Sequence, residues 1–292
     1  MDLIRRVHMM REIAGEARGR GKKIGLVPTM GALHEGHLSL VRKARELADV
    51  VVVSVFVNPT QFGPAEDYDK YPRDLPRDAD LCIQEGVDFL FAPEAADMYR
   101  PGHRTFVEVE GLSAVLEGAS RPGHFRGVCT VVLKLFNIVK PHIAVFGQKD
   151  AQQAIIIRRM VEDLNVDVEL VIAETVRHDD GLAMSSRNAY LNPEERRAAR
   201  QLYAALARAE ELVSTGERSV ERIEAAAREV LAANPLVRPD YVAVVDPRDL
   251  APLERIEGEA LLALAAWVGE ARLIDNTILR PPASEERTRD GG

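Results

Sequence analysis

The chain has 292 residues, 46% of them hydrophobic and 29% charged, enough for one large domain or two of ordinary size around a substantial core. Its 38 basic and 46 acidic side chains leave a net charge of −8, which speaks against nonspecific nucleic-acid binding and leaves room for a local basic pocket. No apolar run approaches the roughly 18 residues of a membrane span, and the charged N-terminus lacks the apolar heart of a signal peptide. Cys82 and Cys129 stand far apart and outside any CxxC pattern, so a cytoplasmic protein with no membrane partner is expected.

In chain order, residues 2–18 place Leu3, Ile4, Val7, Met10, Ile13 and Ala17 at helical spacing. The apolar run Ile24–Val27 suits a strand buried on both faces, broken at Pro28. A loop with Gly31, Gly36, His34 and His37 follows, and then a helical pattern through Leu38, Leu40, Val41 and Ala44. Val50–Val57 and Val87–Ala92 read as further strands, with a helix over Asp74–Glu85 between them, and Thr105–Val109 as an extended segment. SRPGHFRG, Ser120–Gly127, reads as a basic loop ahead of an apolar helix over Val128–Val139. A strand over Ile143–Phe146 runs into Gly147-Gln148-Lys149-Asp150, followed by a helix from about Ala151 to Leu164 and a strand over Val168–Ile172.

Short apolar strands alternating with helices predict an α/β fold, a parallel sheet with helices on both faces. Composition changes after Thr175. A helix from Pro193 towards Thr215, a second over Val220–Ala233, and strands over Asp240–Val245, Ala260–Val268 and Arg272–Leu279 predict a smaller α+β domain. The expected division is 1–175 and 176–282, with a disordered tail over 283–292.

Three constellations can carry chemistry. His34-Glu35-Gly36-His37 lies on a strand-to-helix turn, where helix N-termini gather phosphate. Histidines there can simply cap a helix, but imidazoles after PTMGAL can also donate to a phosphoryl group gaining charge in a transition state. A zinc site competes weakly, because no third ligand stands at a familiar spacing. Met184-Ser185-Ser186-Arg187, an ordinary polar turn taken alone, could give hydroxyls and a guanidinium fork to phosphate oxygens. Lys149 precedes a helix, where the dipole disfavours a cation unless an anion compensates it. Asn58-Pro59-Thr60-Gln61-Phe62 and Gln152-Gln153 end or follow strands, where open α/β sheets collect ligands; both could recognise hydroxyls or a carboxylate.

HxGH in this setting resembles the nucleotidyltransferase superfamily. PTMGALHEGH, VNPTQF, RPGHFRGV, FGQKDAQQ and MSSRN, in this order, look like the pantoate–β-alanine ligase family over nearly the whole chain, from Met1 to about Leu279. The resemblance implies a Rossmann-like first domain, a smaller domain closing over ATP, a cytoplasmic homodimer, and no nucleic-acid partner. The implied reaction is ATP-dependent condensation of (R)-pantoate with β-alanine to pantothenate, AMP and pyrophosphate through a pantoyl adenylate.

ATP would lie on Met30, Gly31, Ala32, Leu33, His34, Glu35, Gly36 and His37, on Gly147, Gln148, Lys149 and Asp150, near Val176, and on Met184, Ser185, Ser186 and Arg187. Gln61 and Gln153 would hold pantoate, with Gln61 also facing β-alanine and Asn58, Arg121 and His124 lining the substrate pocket. His37 takes the acid chemistry, with His34 and Lys149 beside it, and Asp78 would meet Mg2+. Gln148 stands where the family often has Glu. A nucleotidylyltransferase, an aminoacyl-tRNA synthetase lacking an RNA-binding module, and a non-catalytic nucleotide-binding regulator are the competing readings.

Overall fold

A computed structural model describes residues 1–64 and 66–282; the expected tail over 283–292 lies outside the described residues. Contacts divide the chain into two compact units, Met1–Ala189 and Tyr190–Gly292. Residues 176–189, expected with the smaller domain, belong to the larger unit.

In the first unit the elements are β1 (Asp2–Ile4), α1 (Val7–Gly19), β2 (Ile24–Thr29), α2 (Glu35–Leu47), β3 (Val50–Val55), α3 (Leu75–Gln84) and β4 (Phe89–Phe91). They continue with α4 (Ala95–Met98), α5 (Glu117–Ser120), α6 (His124–Val139), β5 (Ile143–Gly147), α7 (Ala151–Asp163) and β6 (Glu169–Ala173). The six strands form one parallel sheet in the order β1-β4-β3-β2-β5-β6.

The apolar strand residues divide by parity because successive side chains point to opposite faces. Ile24, Leu26, Val52 and Phe91 join a core with α1, α6 and α7. Val27, Val51, Val53 and Leu90 join Val41 and Ala44 of α2 and Cys82 of α3 in another. Both faces are therefore covered, as a parallel sheet requires, and the α/β expectation holds.

Three local expectations in the first unit are corrected. Asp2–Ile4 is a strand, not the start of the first helix: it pairs with β4 at the sheet edge, Asp2 opposite Phe89 and Ile4 opposite Phe91. Pro28 lies inside β2, opposite Ser54 of β3, instead of ending the strand. Pairing of β2 with β5 is confined to Gly25–Ile143 and Leu26–Ala144, so beyond Leu26 the missing N–H of Pro28 removes nothing from a ladder on that side.

Thr105–Val109 has no strand partner among the described residues, and the Val107 amide donates instead to Thr130 Oγ1 at 3.0 Å. Helix α6 begins at His124, inside the expected loop, after Gly123 takes φ +82°, a conformation that favours glycine.

The second unit holds α8 (Pro193–Ala198), α9 (Arg200–Ser214), α10 (Val220–Ala232) and an antiparallel sheet β7-β8-β9 (Val237–Val245, Ala260–Val268, Ala271–Leu279). The expected single helix from Pro193 is split at Ala199. Asn192 caps the first piece by accepting from the Glu194 and Glu195 amides, while Glu195 returns a carboxylate to the Asn192 amide, a reciprocal capping box.

Leu26 is fully buried at the centre of the larger sheet. Leu26→Ala should cost about 2–5 kcal/mol of unfolding free energy, measured as a lower denaturant midpoint of the larger unit's transition.

Candidate active site

The strand order reverses between β2 and β5: the chain moves from β2 outward to β3 on one side and from β5 outward to β6 on the other. Ligands in open α/β sheets bind outside the strand C-termini at such a switch point. Here β2 and β5 also stop pairing after Leu26 and Ala144. The loops that follow them carry Met30–His34 and Gln148–Asp150, and the loop after β3 carries Asn58–Gln61.

The loop after β2 is shaped by two residues in the left-handed region, Gly31 at φ +88° and Ala32 at φ +51°. Gly31 is required twice over, since a Cβ there would sit 2.9 Å from Asp78 Oδ2 and 2.9 Å from Val55 Cγ1. For Ala32 the conformation costs roughly 1–2 kcal/mol, offset by bonds to α3. The Ala32 amide donates to Asp78 Oδ2 at 2.9 Å and the Leu33 amide to Asp78 Oδ1 at 2.7 Å, while Arg77 donates to the Leu33 carbonyl.

Asp78 is 1% exposed. Burial raises its pKa, partly opposed by the two amides. Both oxygens of Asp78 accept from the loop, which makes this side chain a loop anchor. Among the described residues no group of three His, Cys, Asp or Glu could hold a metal ion.

Helix α2 begins at Glu35, one residue past His34. The His34 amide donates to His37 Nδ1 at 3.4 Å, which leaves the His37 proton on Nε2. The two rings stand 4.1 Å apart between centroids. Gly36 keeps room for them, since a Cβ there would be 3.0 Å from the His34 ring. Burial first, then Lys149 and other neighbours, lowers His34 to about 4. Burial, His34 and Lys149 lower His37 to about 3. Near neutral pH both imidazoles are uncharged N–H donors, and the charge of Lys149 acts on both. Lys149 Nζ itself lies 3.7 Å from Asp150 Oδ1.

Residues 176–187 fold back onto the same loop. The Met184 amide donates to the Val176 carbonyl at 3.0 Å, and Ser186 Oγ donates to the Ala32 carbonyl at 3.3 Å. Arg187 makes a two-pronged bond to Asp67, Nε at 3.1 Å and Nη2 at 3.0 Å. Tyr71, which is 6% exposed, lies close to Ser186 and Arg187. Asp67 and Tyr71 were invisible as site residues in the sequence, because the polar run between Phe62 and Leu75 has no period to interpret.

On the β3 side, Gln61 is 8% exposed and its Nε2 donates to Met30 Sδ at 3.2 Å, tying this loop to the first. Arg121 and His124, expected to line the pocket, are engaged behind Gln61. His124 Nδ1 donates to the Gln61 carbonyl at 2.9 Å, its Nε2 lies 3.1 Å from Arg121 Nη1, and Arg121 grips Glu66 through Nε and Nη2.

The paired glutamines diverge. Gln152 is buried and pins residues 112–117, donating to the Leu112 and Val115 carbonyls and accepting from the Glu117 amide. Gln153, on the first turn of α7, is half-buried.

The sequence matches the family model for pantoate-beta-alanine ligase over residues 2–278. The chain belongs to the pantoate–β-alanine ligase family. Among similar relatives, a pantothenate synthetase of Moorella thermoacetica is 57% identical over 279 residues, covering 96% of this chain and 99% of the relative. A pantothenate synthetase of Thermotoga petrophila is 58% identical, with 96% and 100% covered.

A solved pantothenate synthetase from Thermus thermophilus superposes with a TM-score of 0.92 at 50% identity, over 96% of this chain and 100% of that one. The pantoate–β-alanine ligase of Francisella tularensis, solved with beta-gamma ATP and beta-alanine, gives 0.79 at 34% identity over 95% and 97%. Ligase loops in this chain therefore sit on the architecture that its motifs led one to expect. No helix among the described residues is long and apolar enough to cross a membrane.

Two measurements check this geometry. Asp78→Asn would turn an amide towards one of two backbone N–H groups, leaving a buried donor unpaired at about 1–3 kcal/mol; denaturant melts should show that loss. The His34 and His37 pKa values lie below the ordinary 6.5. Their stabilising contribution is therefore complete above about 6.5 and is lost as the pH falls from there towards 4 and then 3. Ring-proton NMR titration of the folded protein should show neither histidine with a midpoint near 6.5.

Proposed function

We propose that this chain condenses (R)-pantoate with β-alanine, consuming ATP and releasing AMP and pyrophosphate, through a pantoyl adenylate held at the β2–β5 crevice. The family assignment carries the overall reaction. The observation that carries the mechanism is the pair of neutral imidazoles at the start of α2, with Lys149 acting on both.

In this reading the pantoate carboxylate attacks the α-phosphorus of ATP. His37 Nε2–H and His34 donate to the phosphoryl oxygens as their charge grows, a preorganised stabilisation that cost nothing at the moment of reaction because the rings were already fixed. Neutral rings suit this task, since they polarise the phosphoryl group without having to be deprotonated first. His37, with its pKa near 3, then acts as a hydrogen-bond donor and not as a standing charged acid.

Lys149 and the Met184–Arg187 turn receive the leaving pyrophosphate. To do so Arg187 exchanges Asp67 for phosphate oxygens, both partners fitting its planar fork. The Gly31–Leu33 backbone, Gly147–Asp150 and the region of Val176 cradle the nucleotide. Gln61 and Gln153 hold pantoate, and the amine of β-alanine attacks the adenylate carbonyl to expel AMP.

Mg2+ enters with the triphosphate as part of the substrate, offsetting its charge; no protein carboxylate set is assigned to it, since Asp78 is committed elsewhere. An acyl adenylate hydrolyses readily, so the proposed site has to exclude water. The Francisella tularensis relative was captured with beta-gamma ATP and beta-alanine, supporting the same two ligands here. A homodimer in the cytoplasm completes the proposal. Two separate, buried free thiols, Cys82 and Cys129, suit a reducing compartment.

The adenylate is tested by pyrophosphate–ATP isotope exchange without β-alanine. Exchange should require pantoate, and its absence, with ADP released in the full reaction, would overturn the proposed route. His37→Ala should slow that exchange by about 10²–10³ while circular dichroism and thermal unfolding remain close to the parent; near-normal exchange would remove His37 from the chemistry.

A further inference from the structure

The buried polar cluster behind Gln61 is used neither by the phosphate chemistry nor by the nucleotide loops. Asn58, 1% exposed, lies at its centre. Its Nδ2 has two hydrogens, and both are spent inside the protein: one on Gln61 Oε1 at 3.0 Å and one on the Gly127 carbonyl at 3.1 Å. Its Oδ1 accepts from the Tyr99 hydroxyl at 2.8 Å, the Thr60 hydroxyl at 2.9 Å and the Thr60 amide at 3.3 Å.

The Thr60 N–H at one end and the Gly127 carbonyl at the other settle which way the Asn58 amide faces, because an N–H only donates and a carbonyl only accepts; the Tyr99 hydroxyl adds a donor to the oxygen so placed. The Asn58 nitrogen must then face Gln61, so Gln61 offers its oxygen backward and its Nε2 forward, beside Met30 Sδ. If Asn58 flipped, its oxygen would meet Gln61 Oε1 and the Gln61 carboxamide would have to flip as well. An acceptor would then face the substrate in place of a donor, the wrong polarity for a carboxylate or hydroxyl oxygen.

The backbone under Gln61 is held as tightly. Helix α6 presses against it at Gly127, where a Cβ would fall 2.4 Å from the Thr60 carbonyl oxygen and 2.6 Å from the Gln61 amide nitrogen and Cα. Those are backbone atoms that cannot swing away.

We propose that Tyr99 is a positioning residue for the pantoate site: by donating to Asn58 Oδ1, its hydroxyl holds Asn58 in the orientation that gives the Gln61 carboxamide its polarity towards the substrate. Tyr99 follows α4 and belongs to none of the nucleotide loops. The inference rests on the reading of Gln61 as a pantoate residue, and its test separates the two.

Steady-state kcat and KM for pantoate and for ATP are measured on the full chain for the parent, Tyr99→Phe, Gln61→Ala and the double variant, with thermal unfolding of each. Tyr99→Phe should raise the KM for pantoate about three- to ten-fold, the range of one lost hydrogen bond, and leave the KM for ATP unchanged. In the Gln61→Ala background the same substitution should add nothing, the mark of two residues acting as one unit. An unchanged pantoate KM in Tyr99→Phe beside a raised one in Gln61→Ala overturns the relay alone. Unchanged pantoate KM in both variants overturns the Gln61 reading and the relay with it. Pantoate and ATP parameters moving together would mark a general structural effect and overturn it too. Should Tyr99→Phe fail to fold, Thr60→Val removes a second hydroxyl from the same Asn58 oxygen and is judged by the same outcomes.

Discussion

The bond pair from the Ala32 and Leu33 amides to the Asp78 carboxylate is the constraint on which the site is built. A loop with two consecutive left-handed residues would sample many shapes if left in water. Fastened to a buried carboxylate on α3, it has one. From that fixed point the neighbouring parts take their places: Ser186 reaches the Ala32 carbonyl, Met30 meets Gln61, and the two histidines open α2 under the influence of Lys149. A buried carboxylate on a neighbouring helix thus fixes the shape of the loop at the candidate site.

The sheet supplies the second constraint. Because β2 and β5 separate after Leu26 and Ala144, their following loops diverge around a gap instead of packing against each other. Proline 28 is tolerated, and useful, at that position: with no N–H to offer, it leaves no unpaired donor on the side where the partner strand has departed. All the residues expected to hold nucleotide and pantoate, including Val176 and Met184–Arg187, fall within the single compact unit Met1–Ala189.

Much of this was legible in the sequence, for physical reasons that differ by element. Strands β2, β3 and β5 announce themselves as apolar runs because both their faces are buried, and α2 by its 3.6-residue period. The three-residue strand Asp2–Ile4 could not be read, since it is too short to show a period and its neighbouring apolar residues continue a helical one. Motif order located the His34–His37, Lys149 and Arg187 loops. Residue type alone did not separate Gln152 from Gln153; the family resemblance named Gln153, and the bonds of Gln152 to the 112–117 segment, about 40 residues upstream, carry no local signal. Asp78, Arg121 and His124 were expected to face ligands through the family resemblance and not through any local pattern. Each makes tertiary hydrogen bonds that no local pattern encodes.

The Arg187–Asp67 pair has one further consequence. A site whose guanidinium is already matched by a carboxylate does not present its full positive charge to an arriving polyanion; binding exchanges one anion for another. Added salt screens the pair and the nucleotide complex alike, so much of its effect cancels between the two states. The affinity for a triphosphate should accordingly depend on ionic strength less steeply than the number of cations around it implies. A chain that carries eight surplus negative charges in this way keeps the arginine proposed to bind phosphate in place without leaving it open to every passing anion.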